Sequence, residues 1–358
     1  MRPEHILVPT PSGLCSKAGG FHIDPTRPVD KALITHGHSD HARAGHGHVL
    51  ATQETLDIMR LRYGENFAGS TQAIQYGESV RLGDMTVSFH PAGHVLGSAQ
   101  IRVERKGLRI VASGDYKDVA DPTCAPFELV PCDVFITEAT FGLPVFRHSH
   151  AEGEVRKLLH SVAVFPERAH LVGAYSLGKA QRVIAMMRAA GYDKTIYLHG
   201  AMEKITSYYQ ERGIDLGAVE LVRGAKKAEL AGTITICPPT AMGDLWSRRF
   251  PDPVMAFASG WMRVRARARQ RGVTLPLVIS DHADWDGLTK TIAATGCSEV
   301  WVTHGEEEAL VHWAHMQGLK AKPLAIVGYG DEEEHEEPAP PAGSLRDPTS
   351  PQGGGEAR

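Results

Sequence analysis

One seven-residue segment constrains this chain more than any other: residues 35–41 read Thr-His-Gly-His-Ser-Asp-His. They follow an apolar run at residues 31–34, which predicts a strand. Side chains with metal-binding groups therefore come directly after a strand end: His36, His38, Asp40 and His41. One short segment cannot easily direct these ligands to a single ion. The spacing instead predicts two ions, with the two histidines of His-Gly-His on one side and the final Asp-His pair on the other.

The chemistry of the segment indicates which ions it would hold. Zinc suits imidazole and carboxylate ligands, and pairs of ions about 3.5–4 Å apart are typical of enzymes that cleave phosphoesters. The alternative is a polar turn whose histidines are incidental. Gly37 and Ser39 favour the ligating turn, because small residues between the ligands allow the chain to turn tightly.

Further candidate ligands follow other predicted strands. They are His94, Asp115 and His304, which come after the strands predicted at residues 86–90, 108–112 and 300–303. Taken singly, each has a second explanation as a surface or hydrogen-bonded core residue. Together with the first segment, they predict one metal centre at the carboxyl ends of several strands.

The spacing of apolar residues distinguishes strand-rich parts of the chain from a part that alternates strand and helix. The length of the chain suggests about two domains. Predicted strands lie at residues 32–35, 49–51, 86–90, 108–113, 134–138, 169–174, 195–198, 277–280, 300–303 and 324–327. Predicted helices lie at residues 52–64, 155–162, 180–191 and 306–317. The middle of the chain alternates strand and helix, as a parallel α/β unit does. We therefore expect the chain to leave one α/β domain, build a second and return.

The composition excludes several classes of protein. With 42% hydrophobic and 22% charged residues, the chain is not collagen-like, coiled-coil or wholly disordered. No apolar run approaches the roughly 20 residues of a membrane span, and the first residues carry charge and proline where a signal peptide has an apolar core. The five cysteines form no CxxC pair and support neither a disulfide framework nor a cysteine-based zinc finger. These features predict a cytoplasmic protein with no membrane partner.

The last residues have a different composition. Residues 331–358 contain eight acidic and two basic side chains, many prolines and glycines, and almost no apolar residues. Such a segment cannot bury enough apolar surface to offset the entropy of ordering, so we predict disorder. Its acidic character is consistent with a solubilising extension or with mimicry of nucleic acid. The preceding part, with 34 acidic and 36 basic residues, carries a net charge of +2.

The complete set of motifs resembles that of the metallo-β-lactamase superfamily, and more narrowly its β-CASP nucleases. Beside the histidine motif, the matching residues are Asp24 in Phe-His-Ile-Asp-Pro, Glu138 in Thr-Glu-Ala-Thr-Phe, and His282 in Ser-Asp-His-Ala-Asp. The resemblance extends to bacterial ligase-associated DNA exonucleases, over residues 2 to about 330. Its most specific stretches are residues 2–13, 21–42, 121–148 and 257–272.

The resemblance implies the fold and the domain organisation. The fold class is α/β: a metallo-β-lactamase αββα sandwich with an inserted β-CASP α/β domain. Residues 1–141 and 276–330 would form the two parts of the metallo-β-lactamase domain, residues 142–275 the insertion, and residues 331–358 the acidic tail.

The resemblance also implies roles for the site residues. One zinc ion would be held by His36, His38 and His94, and a second by Asp40, His41 and His304, with Asp115 bridging the two. Manganese is an alternative activating ion. Catalytic roles fall to Asp40, to Asp24, which orients a ligand, to His282 as general acid, with a pKa near 6.5, and to Glu138, which orients His282.

The implied function is a zinc-dependent phosphodiesterase that shortens DNA ends. Related proteins are encoded alongside a DNA ligase and a helicase, which implies a role in DNA repair with these partners. His304 supports an alternative, because RNA-directed relatives carry histidine at this position and DNA-directed relatives often carry an apolar residue. That alternative is an RNA-processing nuclease of the mRNA 3′-end cleavage type. A non-catalytic nucleic-acid-binding protein is disfavoured, because every ligand position is filled.

Two further segments predict contacts to nucleic acid. Ser176, Gly178 and Lys179 lie between a predicted strand and a helix, where free N–H groups suit a phosphate; an ordinary strand–helix turn is the alternative. Arginines recur at every second position at Arg263, Arg265, Arg267, Arg269 and Arg271. On a strand they would share one face, and on a helix they would divide between faces. Either arrangement predicts a basic ridge for a phosphate backbone, with a solvated charged surface as the alternative.

Overall fold

The computed structural model describes residues 1–250 and 252–324, and within them three β-sheets form. The predicted disordered tail lies outside the described residues. No helix in the described part of the chain combines the length and the apolar character that a membrane crossing requires.

The first sheet comes entirely from the beginning of the chain. Its strands, in sheet order, are β1 (Val8–Thr10), β2 (Gly13–Ser16), β3 (Phe21–Ile23), β4 (Lys31–Leu33), β5 (His48–Ala51) and β6 (Thr71–Ala73). The pairs from β3 to β6 are parallel, so the carboxyl ends of these strands share one edge. Helix α1 (Gln53–Tyr63) begins where the Thr52 side chain accepts a hydrogen bond from Thr55 N, and it ends at Gly64.

The second sheet joins the early strands to the last ones. Its order is β19 (Lys320–Pro323), β18 (Glu299–Gly305), β11 (Val134–Ala139), β10 (Leu108–Ala112), β9 (Ala99–Arg105), β8 (Met85–Pro91) and β7 (Ser79–Leu82). The pairs from β10 to β19 are parallel, and the pairs from β7 to β10 are antiparallel.

These two sheets pack face to face between layers of helices. Leu33 and Leu50 of the first sheet share a buried apolar cluster with Val87, Ile101 and Ile110 of the second. The outer face of the first sheet packs on α1, and that of the second packs on α6 (Trp285–Thr295) and α7 (Glu307–Met316). Each fully buried Leu or Ile contributes about 1.5–3 kcal/mol through removal from water. The result is the expected αββα sandwich.

The third sheet is formed by the segment between β11 and β18, and its strands are all parallel. Its order is β14 (Val219–Leu221), β13 (Ile196–Leu198), β15 (Ile234–Cys237), β12 (His170–Gly173), β16 (Val254–Ala258) and β17 (Leu275–Leu277). The helices of this segment are α2 (Ala151–Val164), α3 (Lys179–Ala189), α4 (Glu203–Glu211) and α5 (Arg265–Gln270). The expected excursion from the sandwich is therefore present as a separate sheet, and the domain boundaries at residues 141 and 275 stay a prediction.

The structure corrects some details of the expected elements. The final strand is β19 rather than residues 324–327, of which 325–327 lie outside the described residues. The strand expected at 277–280 ends at Leu277. The sequence analysis did not predict nine of the strands: β1, β2, β3, β6, β7, β9, β14, β15 and β16. In the described sheet β19 lies at the edge beside β18, and its Lys320 is exposed, as the charged side chains of edge strands commonly are.

Candidate metal centre

The predicted metal ligands gather at one edge of the two facing sheets. They come from four strand ends: the loop after β4 carries His36, His38, Asp40 and His41, and His94, Asp115 and His304 belong to the ends of β8, β10 and β18. All of them are buried. The parallel strands bring these chain segments to the same edge, because their carboxyl ends point in one direction.

The first group of ligand atoms belongs to His36, His38, His94 and Asp115. One nitrogen or oxygen from each lies within 4.8 Å of the others. His38 Nδ1 is 3.0 Å from His94 Nε2, and His36 Nε2 is 3.4 Å from Asp115 Oδ2. Three imidazoles and a carboxylate at this spacing form a donor set for a divalent transition-metal ion.

The second group consists of Asp40, His41 and His304, and Asp115 lies between the two groups. His304 Nε2 is 3.3 Å from Asp40 Oδ2, and His41 Nε2 is 3.6 Å from the same oxygen. Asp115 lies close to the two histidines of this group. Its Oδ2 is 3.5 Å from His41 Nε2, and its Oδ1 is 3.2 Å from His304 Nδ1. A carboxylate in this position can contact ions on either side.

Asp24 lies behind the ligands and orients two of them. Its Oδ2 accepts hydrogen bonds from His41 Nδ1 at 2.9 Å and from Thr35 Oγ1 at 2.6 Å, while Oδ1 accepts from Thr35 N at 2.8 Å. Since the Thr35 hydroxyl donates to Asp24, it accepts from His36 Nδ1 at 3.0 Å. Both imidazoles therefore carry their proton on Nδ1 and direct Nε2 into the site, a support that is common behind metal ligands.

The geometry of two other rings indicates that the site fits a cation. His38 Nε2 is 3.3 Å from the Leu177 carbonyl, and His94 Nδ1 is 2.9 Å from the Asp281 carbonyl. A carbonyl only accepts, so in the neutral rings these nitrogens carry the protons. The lone pairs of His38 Nδ1 and His94 Nε2 then face each other, which is unfavourable unless a cation lies between them. The residues present therefore fit a bound metal.

The protonation states of two ligands, His36 and His94, also suit metal binding. Burial, reinforced by neighbouring imidazoles, lowers the pKa of His36 well below its usual value and that of His94 to about 3. Neutral imidazole is the form that binds a metal. Burial opposes charge on His41, but Asp40 and Asp115 raise its pKa well above the usual value. Burial likewise opposes charge on Asp115, whose pKa is held well below its usual value by His41 and His304.

His282 lies beside this centre and is paired with Glu138. His282 Nδ1 is 2.9 Å from Glu138 Oε2, and Glu138 Oε1 accepts from Tyr116 N at 2.7 Å. The His282 ring is 4.6 Å from that of His94. Burial would lower the pKa of His282, but the charge and hydrogen bond of Glu138 raise it to about 10. This corrects the expected pKa near 6.5, because Glu138 stabilises the imidazolium as well as orienting the ring.

The turn predicted to bind phosphate is part of the protein interior. The side chain of Lys179 is 1% exposed, and its Nζ lies 2.7 Å from Asp281 Oδ1. The N–H groups of Gly178, Lys179 and Ala180 all donate within the protein, to Gln181 Oε1, Leu177 O and Tyr175 O. Only Ser176 is partly exposed among the predicted contact residues of this turn. The N–H groups expected to be free for a phosphate are therefore already used.

The arginine-rich segment is helical. Of the two arrangements considered from the sequence, a strand and a helix, the structure has the helix. Its residues occupy a short 3₁₀ turn, Gly260–Arg263, followed by α5. Four side chains are exposed: Arg263, Arg265, Arg269 and Arg271. The fifth, Arg267, is half-buried and lies over the Trp261 ring at 3.9 Å, so it packs against the protein rather than extending freely.

The structure adds residues that the sequence analysis did not identify. Thr35, Asp281 and the Leu177 carbonyl orient ligands, and Lys117 Nζ donates to the His282 carbonyl at 2.9 Å. Thr35 and Asp281 adjoin recognised motif residues, and this adjacency was the available signal. A backbone carbonyl carries no sequence signal, since every residue has one.

Comparisons with known proteins give relatives of modest identity, and no family profile matches the chain. A protein named "Probable DNA ligase" from Opitutus terrae is 26% identical over 310 residues, covering 84% of this chain and 29% of that protein. "Ribonuclease TTHA0252" from Thermus thermophilus is 28% identical over 397 residues, covering 87% of this chain and 89% of that protein. The Arabidopsis thaliana "Cleavage and polyadenylation specificity factor subunit 3-I" is 27% identical over 235 residues, covering 57% of this chain and 33% of that protein.

The chain thus spans less than a third of the Opitutus protein and a third of the Arabidopsis one, but most of the Thermus ribonuclease. Among solved structures, a protein of unknown function from Enterococcus faecalis has a similar fold, with a TM-score of 0.52 and 14% identity over 76% of this chain and 74% of that one. The αββα sandwich, its third parallel sheet and the motif residues at one sheet edge, together with these relatives, are consistent with a β-CASP nuclease of the metallo-β-lactamase superfamily.

Proposed function

We propose that this protein is a metal-dependent nuclease that hydrolyses phosphodiester bonds at DNA ends. The observation that carries the proposal is the pair of buried ligand groups that share Asp115, with His282 beside them. Two bound divalent ions would supply a nucleophilic water at neutral pH and neutralise charge on a phosphate. Zinc suits these ligands, and manganese is the alternative activating ion.

The protein's own residues would divide the work. His36, His38 and His94 would hold one ion and Asp40, His41 and His304 the other, with Asp115 in contact with both. Asp24 keeps the rings of His36 and His41 turned into the site through its hydrogen bonds.

His282 is the proposed proton donor for the leaving oxygen. Glu138 keeps the proton on this imidazole, and the ring borders the first ligand group through its contact with His94. A general acid must be protonated before the bond breaks, and an imidazolium stabilised in this way meets that condition at neutral pH.

The exposed arginines of Gly260–Arg263 and α5 would hold the substrate strand. Residues 253–280 contain no acidic side chain, so the positive charge of this segment is not balanced along the chain. Trp261, under Arg267, is 4.9 Å from the Phe141 ring, and Phe141 is 6.2 Å from the His282 ring. These buried aromatic rings place the basic segment near the edge that holds the ligands, so a strand held by the exposed arginines would lie close to the candidate site.

Support for DNA as the substrate comes from the similarity to a protein named as a DNA ligase, over 84% of this chain. The same similarity supports a role in DNA repair with a ligase as partner. A helicase of the same pathway is part of the proposal. The second candidate function is an RNA-processing nuclease. It is favoured by His304 within the second ligand group and by the 28% identity to a ribonuclease across most of its length.

The decisive experiment compares single-stranded DNA and RNA of identical sequence, each labelled at either end. Wild-type protein and Asp40→Ala are incubated with zinc or manganese, and with a chelator. Asp84→Ala is the matched control, because Asp84 is an exposed carboxylate paired with Arg105 in another part of the second sheet. We expect stepwise DNA shortening by the wild type and the control, lost in Asp40→Ala and with the chelator.

Each outcome decides between the candidates. If RNA is cleaved while DNA survives, the DNA proposal is wrong and the RNA-processing function replaces it. If cuts occur within the strand without progressive shortening, the exonuclease assignment fails. Nucleic acid bound but left intact under every metal condition would indicate a binding protein.

A further inference from the structure

The loop before α3 touches the first ligand group, although it belongs to the third sheet. It follows β12, and its Leu177 carbonyl lies 3.3 Å from His38 Nε2. The contact joins residues 139 positions apart. It orients the His38 ring so that Nδ1, not Nε2, faces the other ligand atoms.

The first residue of α3 acts on a second ligand through an ion pair. Lys179 Nζ lies 2.7 Å from Asp281 Oδ1, and the two side chains are 1% and 5% exposed. The main-chain carbonyl of the same Asp281 is the group that lies 2.9 Å from His94 Nδ1. A buried charge requires its partner, because an unpaired one is strongly destabilising. The pair therefore fixes the position of Asp281, and with it the carbonyl that holds His94.

Tight packing brings the loop close enough to make these contacts. Gly178 has φ +82°, and an added Cβ would collide with Val95, the neighbour of His94. On the other side, a Cβ on Gly37 would collide with Ile58 of α1 at 2.7 Å and would also lie 3.3 Å from the Leu177 side chain. Gly178 thus allows the third-sheet segment to approach the chain next to His94, while Gly37 makes room mainly for α1 and adds a close contact with Leu177.

We propose that residues 177–179 are a positioning element for the metal centre. The Leu177 carbonyl and the Lys179–Asp281 pair set the rings of His38 and His94 so that their lone pairs converge on one ion. This inference rests on the proposed use of metal ions, and it gives the segment a role in metal affinity instead of direct phosphate binding. Lys179 is a positioning residue, since it acts on His94 only through Asp281.

The test measures metal affinity in the full-length protein. Metal-free wild type, Lys179→Met and Lys179→Arg are titrated with zinc against a chromophoric chelator, and with cobalt while its visible spectrum reports the coordination. Lys322→Met is the matched control, because Lys322 forms an exposed ion pair with Glu4. Removing a supporting group behind a ligand typically weakens metal binding by about 10–100-fold.

We expect Lys179→Met to weaken one of two bound ions by about 10–100-fold and to change the cobalt spectrum. Lys179→Arg should restore most of the affinity, and Lys322→Met should match the wild type. If Lys179→Met binds both ions as tightly as the wild type while its melting temperature falls, the lysine is merely structural and the inference is wrong.

A second variant covers the case in which Lys179→Met does not fold. The double variant Lys179→Met/Asp281→Asn removes both charges, avoids an unpaired buried carboxylate and keeps the Asp281 carbonyl. We expect weakened metal binding here too, and wild-type affinity would overturn the inference. A wild type that binds no divalent ion would also overturn it. A wild type that binds ions but cleaves neither DNA nor RNA would overturn the proposed nuclease and leave the positioning role intact.

Discussion

Glu138 Oε2 and His282 Nδ1 lie 2.9 Å apart, across 144 residues of sequence and inside the protein. The carboxylate also accepts a main-chain hydrogen bond from Tyr116, so its position does not depend on the histidine alone. The pair holds a proton beside the ligand groups, and this has consequences for both activity and stability.

His282→Ala should lower the hydrolysis rate by about 10²–10⁴-fold, the usual contribution of general acid catalysis. Glu138→Gln should keep a larger share of its activity at low pH than at high pH. As the pH rises, the variant should lose activity at a lower pH than the wild type does. The reason is that Glu138 raises the pKa of His282 to about 10. Rates measured from pH 6 to 10 test this. The control is Glu128→Gln, whose carboxylate lies 2.9 Å from His90 Nδ1 near the surface. Identical pH profiles for Glu138→Gln and the wild type would contradict the proposed role.

The same pair should make stability depend on pH. The folded pKa of His282 lies above its unfolded value of about 6.5, so the contribution is fully present below about pH 6.5 and is lost as the pH rises through about 10. Glu138→Gln should therefore destabilise the metal-free protein more at pH 6 than at pH 10. Thermal unfolding at both pH values measures the difference. An equal loss at both would mean that the pair stabilises the fold only through its neutral hydrogen bonds.

Asp24→Asn should weaken metal binding by about 10–100-fold with little effect on the backbone. Asp24 has φ +42°, in the left-handed region that asparagine tolerates better than most residues. The substitution therefore isolates the hydrogen bonds, because an amide cannot accept from His41 and from both Thr35 groups as the carboxylate does. Metal titration measures the affinity. Wild-type affinity in Asp24→Asn would show that the two ligand rings are oriented by other contacts.

Replacing the exposed arginines should change how DNA binding depends on salt. In an Asp40→Ala background that prevents cleavage, Arg265→Ala and Arg269→Ala should each reduce the slope of log affinity against log salt by about 0.7 for every phosphate that the arginine neutralises. Fluorescence anisotropy with a labelled single strand gives the slope. Arg223→Ala is the control, because Arg223 is exposed within the same chain segment and pairs with Glu203. Slopes equal to that of the control would mean that the arginines form only a solvated surface.

Removing the metal should lower the melting temperature as well as the activity. A ligand that binds only the folded state stabilises it by about 2.7 kcal/mol at a free concentration of 100 times its dissociation constant. Unfolding measured with added zinc, and again with a chelator, tests this. His36→Ala should remove most of the difference, since His36 Nε2 points into the first ligand group. His160, exposed on α2, provides the matched control His160→Ala. A melting temperature unaffected by zinc would contradict the metal centre.

The sequence predicted which side chains gather at the candidate site, because each of them follows a strand and parallel strands end at one edge. The histidine motif after β4 and the positions of His94, Asp115 and His304 were sufficient for this. The excursion between β11 and β18 was equally visible, since its apolar spacing changes to alternating strand and helix.

What the sequence could not give was the environment of individual side chains. Lys179 after a glycine at a helix start has the local pattern of a phosphate contact, yet tertiary packing places Asp281 against it and buries both. The raised pKa of His282 likewise comes from Glu138, 144 residues away. The arginine segment could be a strand or a helix by spacing alone, and packing of Arg267 on Trp261 accompanies the helical form.

The distribution of ligands along the chain also fixes the order in which they leave the ribosome. Strand β18, with His304, joins β11 only after the whole third sheet has been synthesised. Synthesis proceeds at roughly 5–20 residues per second, so His304 emerges about 10–50 seconds after His41. A growing chain therefore cannot assemble both ligand groups early. For the proposed nuclease, the candidate active centre would therefore be complete only after the last strands of the sandwich have been synthesised.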